Sequence, residues 1–124
     1  MAEVYDSNNI FARILRGEIP CKKVLETKHS LAFHDINPLA PVHVLVIPKG
    51  AYLNMDAFSA KATAEEQADF IQAIGETARL MKAEENGYRI IANNGANAHQ
   101  DVPHLHIHVL GGRPLGRMLK PAGE

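Results

Sequence analysis

The chain is poor in cysteine and has no tryptophan. Its one cysteine, Cys21, excludes an internal disulfide framework and favours a reducing compartment. No charge of one sign dominates: 13 Lys and Arg face 14 Asp and Glu, for a formal net charge of −1. Whole-chain electrostatics therefore do not favour nucleic acid or a membrane surface, and any bound anion must be held by local groups. Long hydrophobic runs are missing too. None approaches the roughly 20 apolar residues that span a bilayer. The N-terminal segment, with Glu3, Asp6, Arg13, Arg16 and Glu18, lacks the apolar core of a secretory signal. The expected location is cytoplasmic. At 124 residues, 46% hydrophobic and 22% charged, the chain reads as a single globular domain over residues 1–124, large enough for a real core.

What the chain does have is histidine, and three of its seven fall in His104-Leu105-His106-Ile107-His108-Val109-Leu110. Side chains on a strand alternate faces. His104, His106 and His108 would then share one face while Leu105, Ile107 and Val109 bury the other. A helix would scatter the imidazoles, because helical neighbours lie three or four residues apart.

Around this run the pattern is mixed. Ser7 to Arg16 predicts a short helix with Ile10, Phe11, Ile14 and Leu15 as its apolar stripe, Ser7 or Asn8 as its cap and Gly17 as its end. Lys22 to Thr27, Ser30 to Asp35 and Val42 to Ile47 read as strands. Ala51 to Ala62 reads as a connection with a helical turn near Met55 to Phe58. Thr63-Ala64-Glu65-Glu66 is a capping box that opens a long helix, with Phe70, Ile71, Ile74, Ala78 and Met81 as its stripe. Tyr88 to Asn93 is a fourth strand, Asn94 to Pro103 a polar loop, and the histidine run a fifth strand closed by Gly111-Gly112. Five strands with local connections and two helices predict an α+β fold with a mostly antiparallel sheet. The tail, 114–124, reads as irregular.

A lone histidine is most often a surface or satisfied core residue, and His29 and His34 are read that way first. Three on one strand face have six ring nitrogens to satisfy, which argues for a function. His-X-His suits zinc, and His43 could complete such a set, although no second shell of carboxylates is evident beyond Asp101. The other reading is a nucleophile, which needs one fixed tautomer, an anion cradle and an acid for the leaving group. Phosphate is the natural electrophile for such a cluster.

Residues 104–110 match the His-φ-His-φ-His-φ-φ signature of the histidine triad superfamily, φ being apolar. Phe33-His34-Asp35-Ile36-Asn37-Pro38, Ala40-Pro41-Val42-His43 and Val46-Ile47-Pro48-Lys49 resemble the first half of its nucleotide-binding branch. Gly87-Tyr88-Arg89-Ile90, Asn93, Gln100 and Val109-Leu110-Gly111-Gly112-Arg113 resemble the second, so the likeness covers about residues 5–113. The resemblance implies a five-stranded antiparallel sheet with two helices, and a homodimer with a continuous ten-stranded sheet. It implies binding of purine nucleoside monophosphates, adenosine preferred, and hydrolysis of adenosine 5′-phosphoramidates or aminoacyl adenylates through a nucleotidyl-histidine. It implies no metal and no cofactor. By position, His106 is the expected nucleophile and His108 the phosphate contact that helps protonate the leaving group. His104 and His43 fix protonation and orientation. Asp35 takes the ribose hydroxyls. Asn93 and Gln100 contact phosphate or leaving group. Phe33, Ile36 and Leu45 wall the base, with His34 contributing through its backbone.

Two features depart from the branch. Asp101 stands where relatives carry Ser or Thr, and a carboxylate pointing inward would repel phosphate. It is expected to point away and offer its backbone N–H, with His99 as a replacement donor. The tail lacks the tryptophan of strong phosphoramidases, and Arg117 and Lys120 are read as solvated. Two other functions fit less well: a dinucleoside polyphosphate hydrolase, and a nucleotide sensor or scaffold with little catalysis.

Overall fold

The computed structural model describes residues 4–119. Its first helix, α1, spans Ile10–Leu15. The cap is Asn9 rather than Ser7 or Asn8: its backbone is extended and its side chain accepts the Ala12 N–H at 2.9 Å. Gly17, at φ +79°, ends the helix as expected.

Five strands follow the predicted order: β1 Lys23–Glu26, β2 Ser30–His34, β3 Val42–Pro48, β4 Tyr88–Ala92 and β5 Ile107–Gly111. They form one sheet in the order β1-β2-β3-β5-β4, antiparallel at every pairing. β3 lies at its centre and is buried along its whole length, as its β-branched run requires.

The turn expected near Met55 is a seven-residue helix, α2, Met55–Lys61, capped by Asn54. It is a third helix beside the two expected. In α3, Ala64–Leu80, both hydrogen bonds of the Thr63–Glu66 capping box are present. The helix buries Phe70, Ala73, Ile74, Thr77 and Ala78. Ile71, expected in the stripe, is 67% exposed, because it lies about 100° around the helix from Phe70. No helix among the described residues is long and apolar enough to cross a membrane.

The two faces of the sheet are covered differently. Val42, Val44, Val46, Leu105, Ile107 and Val109 join Phe58 of α2 and Phe70 and Ile74 of α3 in the main core. On the opposite face Leu31, Phe33, Leu45 and Ile47 pack with Phe11 of α1. Short α1 covers only part of that second face, and the rest is free to carry polar groups.

Gly112 closes β5 at φ +88°, where an added Cβ would come within 2.8 Å of Pro41 Cβ and 3.2 Å of the Val42 nitrogen. Gly112→Ala is expected to cost about 1–3 kcal/mol, from the positive φ together with the clash. Denaturant unfolding of the variant checks this; unchanged stability would mean that the turn relaxes freely.

Candidate active site

The paired part of β5 begins at Ile107, so His104 and His106 precede it. Leu105 donates its N–H to the Tyr52 carbonyl, 2.8 Å away, instead of to a neighbouring strand. The alternation survives without the ladder. Leu105, Ile107 and Val109 enter the main core, while the rings of His104 and His106 stand edge-on to Phe11 on the other side, with centroids 6.4 and 5.0 Å away. His108 lies opposite Leu45, and Leu45 opposite Phe33. Directly opposed residues share a face, so these groups line one surface. His43, two residues before Leu45, reaches it from β3 and Asp35 from just beyond β2.

Hydrogen bonds assign the proton on each ring. A carbonyl only accepts, so His106 Nδ1–H donates to the His104 carbonyl at 2.8 Å. In the neutral ring this leaves His106 Nε2 as a free lone pair. A backbone N–H only donates, so His43 Nδ1 accepts from Leu39 at 3.0 Å. His43 Nε2–H then donates to His108 Nδ1 at 2.9 Å, so the neutral His108 ring carries its proton on Nε2. His104 Nε2–H donates to the Pro48 carbonyl at 2.8 Å, and its Nδ1 accepts from the Tyr5 hydroxyl at 2.5 Å.

All four rings are held below the ordinary histidine range, first by burial. His104 is pushed down to about 4, with the His106 charge adding to the desolvation. His108 is also near 4, because His106 and His43 disfavour its positive charge beyond what burial does. Asp35 and Asp101 work against the lowering at His106. At neutral pH these are four uncharged imidazoles whose free lone pair is on His106.

Asp35 is half-buried. Its Oδ1 accepts the Asn37 N–H at 2.7 Å and its Oδ2 lies 3.5 Å from His43 Nε2. The sequence places Asp35 in the site as a ribose partner, and the structure adds its approach to His43. Asp35, His43 and His108 each offer a donor atom within 4.8 Å of the others and are the group among the described residues that could hold a metal ion. As they stand, the two histidines spend their facing nitrogens on each other.

The other sequence-derived candidates divide. Phe33 and Leu45 lie buried beside the cluster. Ile36 is 91% exposed, at the turn after Asp35, and does not form a packed wall. His34 is exposed on β2 with its N–H bonded to the Lys22 carbonyl. Asn93 is half-buried just past β4. Gln100, expected to reach phosphate, has spent its amide: Nε2 donates to the Leu53 and Val102 carbonyls, at 2.8 and 3.0 Å, and Oε1 accepts the Gly95 N–H. It braces the loop instead. Asp101 is exposed and lies 3.0 Å from His99 Nε2. His99 is therefore engaged by Asp101 and does not stand as a substitute phosphate donor. Arg117 is exposed, and Lys120 lies outside the described residues. Tyr5 and Phe11 touch the run directly, and no sequence signal marks them as site residues, because nothing local links residues about a hundred positions apart.

Fold and site together define a small α+β domain with a buried histidine cluster on the thinly covered face of an antiparallel sheet. The HIT domain family matches residues 16–115. An uncharacterized 13.2 kDa HIT-like protein of Azospirillum brasilense is 67% identical over 119 residues, covering 96% of this chain and 98% of its own. Among solved structures, a HIT family hydrolase from Clostridium thermocellum matches with TM-score 0.83 and 39% identity, covering 90% of this chain and 97% of that one. A histidine triad nucleotide-binding protein from Candida albicans matches with TM-score 0.75 and 31% identity, covering 92% and 85%. The chain belongs to the HIT domain family.

Proposed function

We propose that this protein binds purine nucleoside monophosphates and hydrolyses adenosine 5′-phosphoramidates or aminoacyl adenylates at the α-phosphate, with His106 as nucleophile. The observation that carries this reading is the His106 Nδ1–H bond to the His104 carbonyl, which leaves an uncharged Nε2 lone pair beside a second donor ring. In the reaction Nε2 bonds to phosphorus as the P–N or mixed-anhydride P–O bond breaks. The Nε2–H of His108 donates a hydrogen bond to a phosphate oxygen, and a leaving amine takes its proton from solvent, a proton that the attacking water of the second step gives back. Water then cleaves the nucleotidyl-imidazole and restores the ring. Relatives named as hydrolase and as nucleotide-binding protein support the class.

Single-turnover hydrolysis of an adenosine 5′-phosphoramidate by chelator-treated protein, read by intact mass, tests this. The expected result is a transient adduct of one nucleotidyl group on His106, with the rate unchanged by chelator. No turnover and no adduct, with adenosine monophosphate still bound, would make the protein a binding module. Loss of turnover on chelation would turn attention to Asp35, His43 and His108.

Asp35 is the proposed ribose partner: as an ionised carboxylate it is an acceptor suited to a vicinal diol. Asp35→Ala is expected to weaken adenosine monophosphate binding by about 1–3 kcal/mol, the range for hydrogen bonds to a charged group. Titration calorimetry measures it, and an unchanged Kd would remove Asp35 from the ribose site.

The homodimer belongs to this proposal. β4 is an edge strand, with Tyr88 and Ile90 42% and 51% exposed, and such an edge is a template for another strand. Sedimentation is expected to give twice the chain mass, falling to one on Ile90→Lys.

A further inference from the structure

The chain ahead of α1 has no part in the expected site, and Tyr5 lies outside residues 16–115 matched by the family. Yet Tyr5 reaches the histidine run across 99 positions of sequence. Its hydroxyl is 2.5 Å from His104 Nδ1, and the two rings meet edge-on with centroids 5.6 Å apart. The segment carrying it is anchored. Asn9 donates its N–H and its Nδ2 to the Asp6 carbonyl, at 3.2 and 2.7 Å, and Arg16 donates to the Ser7 carbonyl.

We propose that Tyr5 is a positioning residue for the histidine run, fixing His104 as the Nε2–H tautomer and, through the His104 carbonyl, setting the ring of His106. His104 is fully buried, so each of its ring nitrogens needs a partner. The Pro48 carbonyl can only accept and claims Nε2–H. Nδ1 is left as an acceptor, and the Tyr5 hydroxyl is the one donor that meets it among the described residues. Burial pushes the Tyr5 hydroxyl up from its ordinary value, so it stays protonated and able to donate. With both edges held, the His104 ring cannot flip without turning a lone pair toward Pro48. Two residues on, His106 depends on the carbonyl of this same residue for its own tautomer. Tyr5 touches neither nucleotide nor phosphorus in this scheme. Its effect is to keep the His106 lone pair aimed, and misalignment of a reacting atom by about 1 Å costs on the order of a hundredfold in rate.

The kinetic half of the test rests on the hydrolase reading, while the spectroscopic half does not. Long-range 1H–15N correlation of the histidine rings in wild type is expected to show His104 as Nε2–H with Nδ1 accepting. An Nδ1–H tautomer there overturns the proposal, whether or not any variant folds. In Tyr5→Phe the His104 Nδ1 signal is expected to shift toward the free-lone-pair position. For the phosphoramidate, kcat is expected to fall about tenfold or more, with KM within about twofold, since the nucleotide contacts stay in place. An unshifted ring, or an unchanged kcat in a folded Tyr5→Phe, overturns the proposal. If wild type turns over no phosphoramidate, the hydrolase reading fails, and the ring spectra still decide whether Tyr5 sets the tautomer.

Discussion

His106→Ala is expected to lower kcat for an adenosine 5′-phosphoramidate by about 10⁴-fold or more, the scale seen when a covalent nucleophile is removed, while adenosine monophosphate binds within a few-fold of wild type. The reason is local. Of the four clustered rings, His104 has both nitrogens bonded, and His43 and His108 spend facing nitrogens on each other. Among the described residues, His106 alone combines a pinned Nδ1–H with an unclaimed Nε2. Burial lowers its affinity for protons, so most molecules carry the lone pair at pH 7. Binding does not depend on that lone pair, because base and ribose are assigned to Phe33, Leu45 and Asp35. Single-turnover kinetics and calorimetry on the same preparation separate the two effects. Near-wild-type kcat in the variant would remove His106 as the nucleophile.

Folding stability is expected to fall steeply as pH drops from about 6.5 to about 4. His104 and His108 have ordinary values near 6.5 in the unfolded chain and about 4 in the fold, lowered by burial in both cases and by neighbouring imidazoles. Above pH 6.5 neither state binds these protons and stability is flat on their account. Between the two values the unfolded chain takes protons that the fold refuses, so unfolding gains with each step down in pH. Two such groups give a slope of about 2 kcal/mol per pH unit near pH 5. His43 and His106, also lowered by burial, add in the same direction. Denaturant unfolding at intervals from pH 7 to 5 measures the slope in a window above most carboxylate titration. A flat profile there would mean that the cluster is hydrated or charged in the folded protein.

Much of the architecture was legible because its signals are local. The Thr63–Glu66 capping box needs only four consecutive residues, and α3 starts where it predicts. The apolar alternation through Leu105, Ile107 and Val109 named the buried face even though the hydrogen-bonded strand begins only at Ile107. The misreadings come from choices between near-equal local options. Ser7, Asn8 and Asn9 are all capable caps, and packing chose Asn9, which is buried and also bonded to Asp6. Ile71 looks as apolar as Ile74, but the sheet covers only one side of the helix.

The site divides along the same line. By itself the sequence determined that three imidazoles fall on one side of an apolar run, because that follows from period-two geometry within a single segment. It also determined the family, through motifs at matching spacing. Tertiary structure alone decided which nitrogen of His43, His104 and His108 holds the proton. The His106 ring turns back on the His104 carbonyl within the run, while the protons of His104, His43 and His108 depend on Pro48, Tyr5 and Leu39, which lie tens of residues away and become neighbours only when β3 and the N-terminal segment close around the run. It likewise turned Gln100 inward to brace its loop and left Ile36 in solvent. Residue type states what a side chain can donate or accept, but the partner that claims each group is fixed by contacts between distant segments, and these leave no periodic trace along the chain.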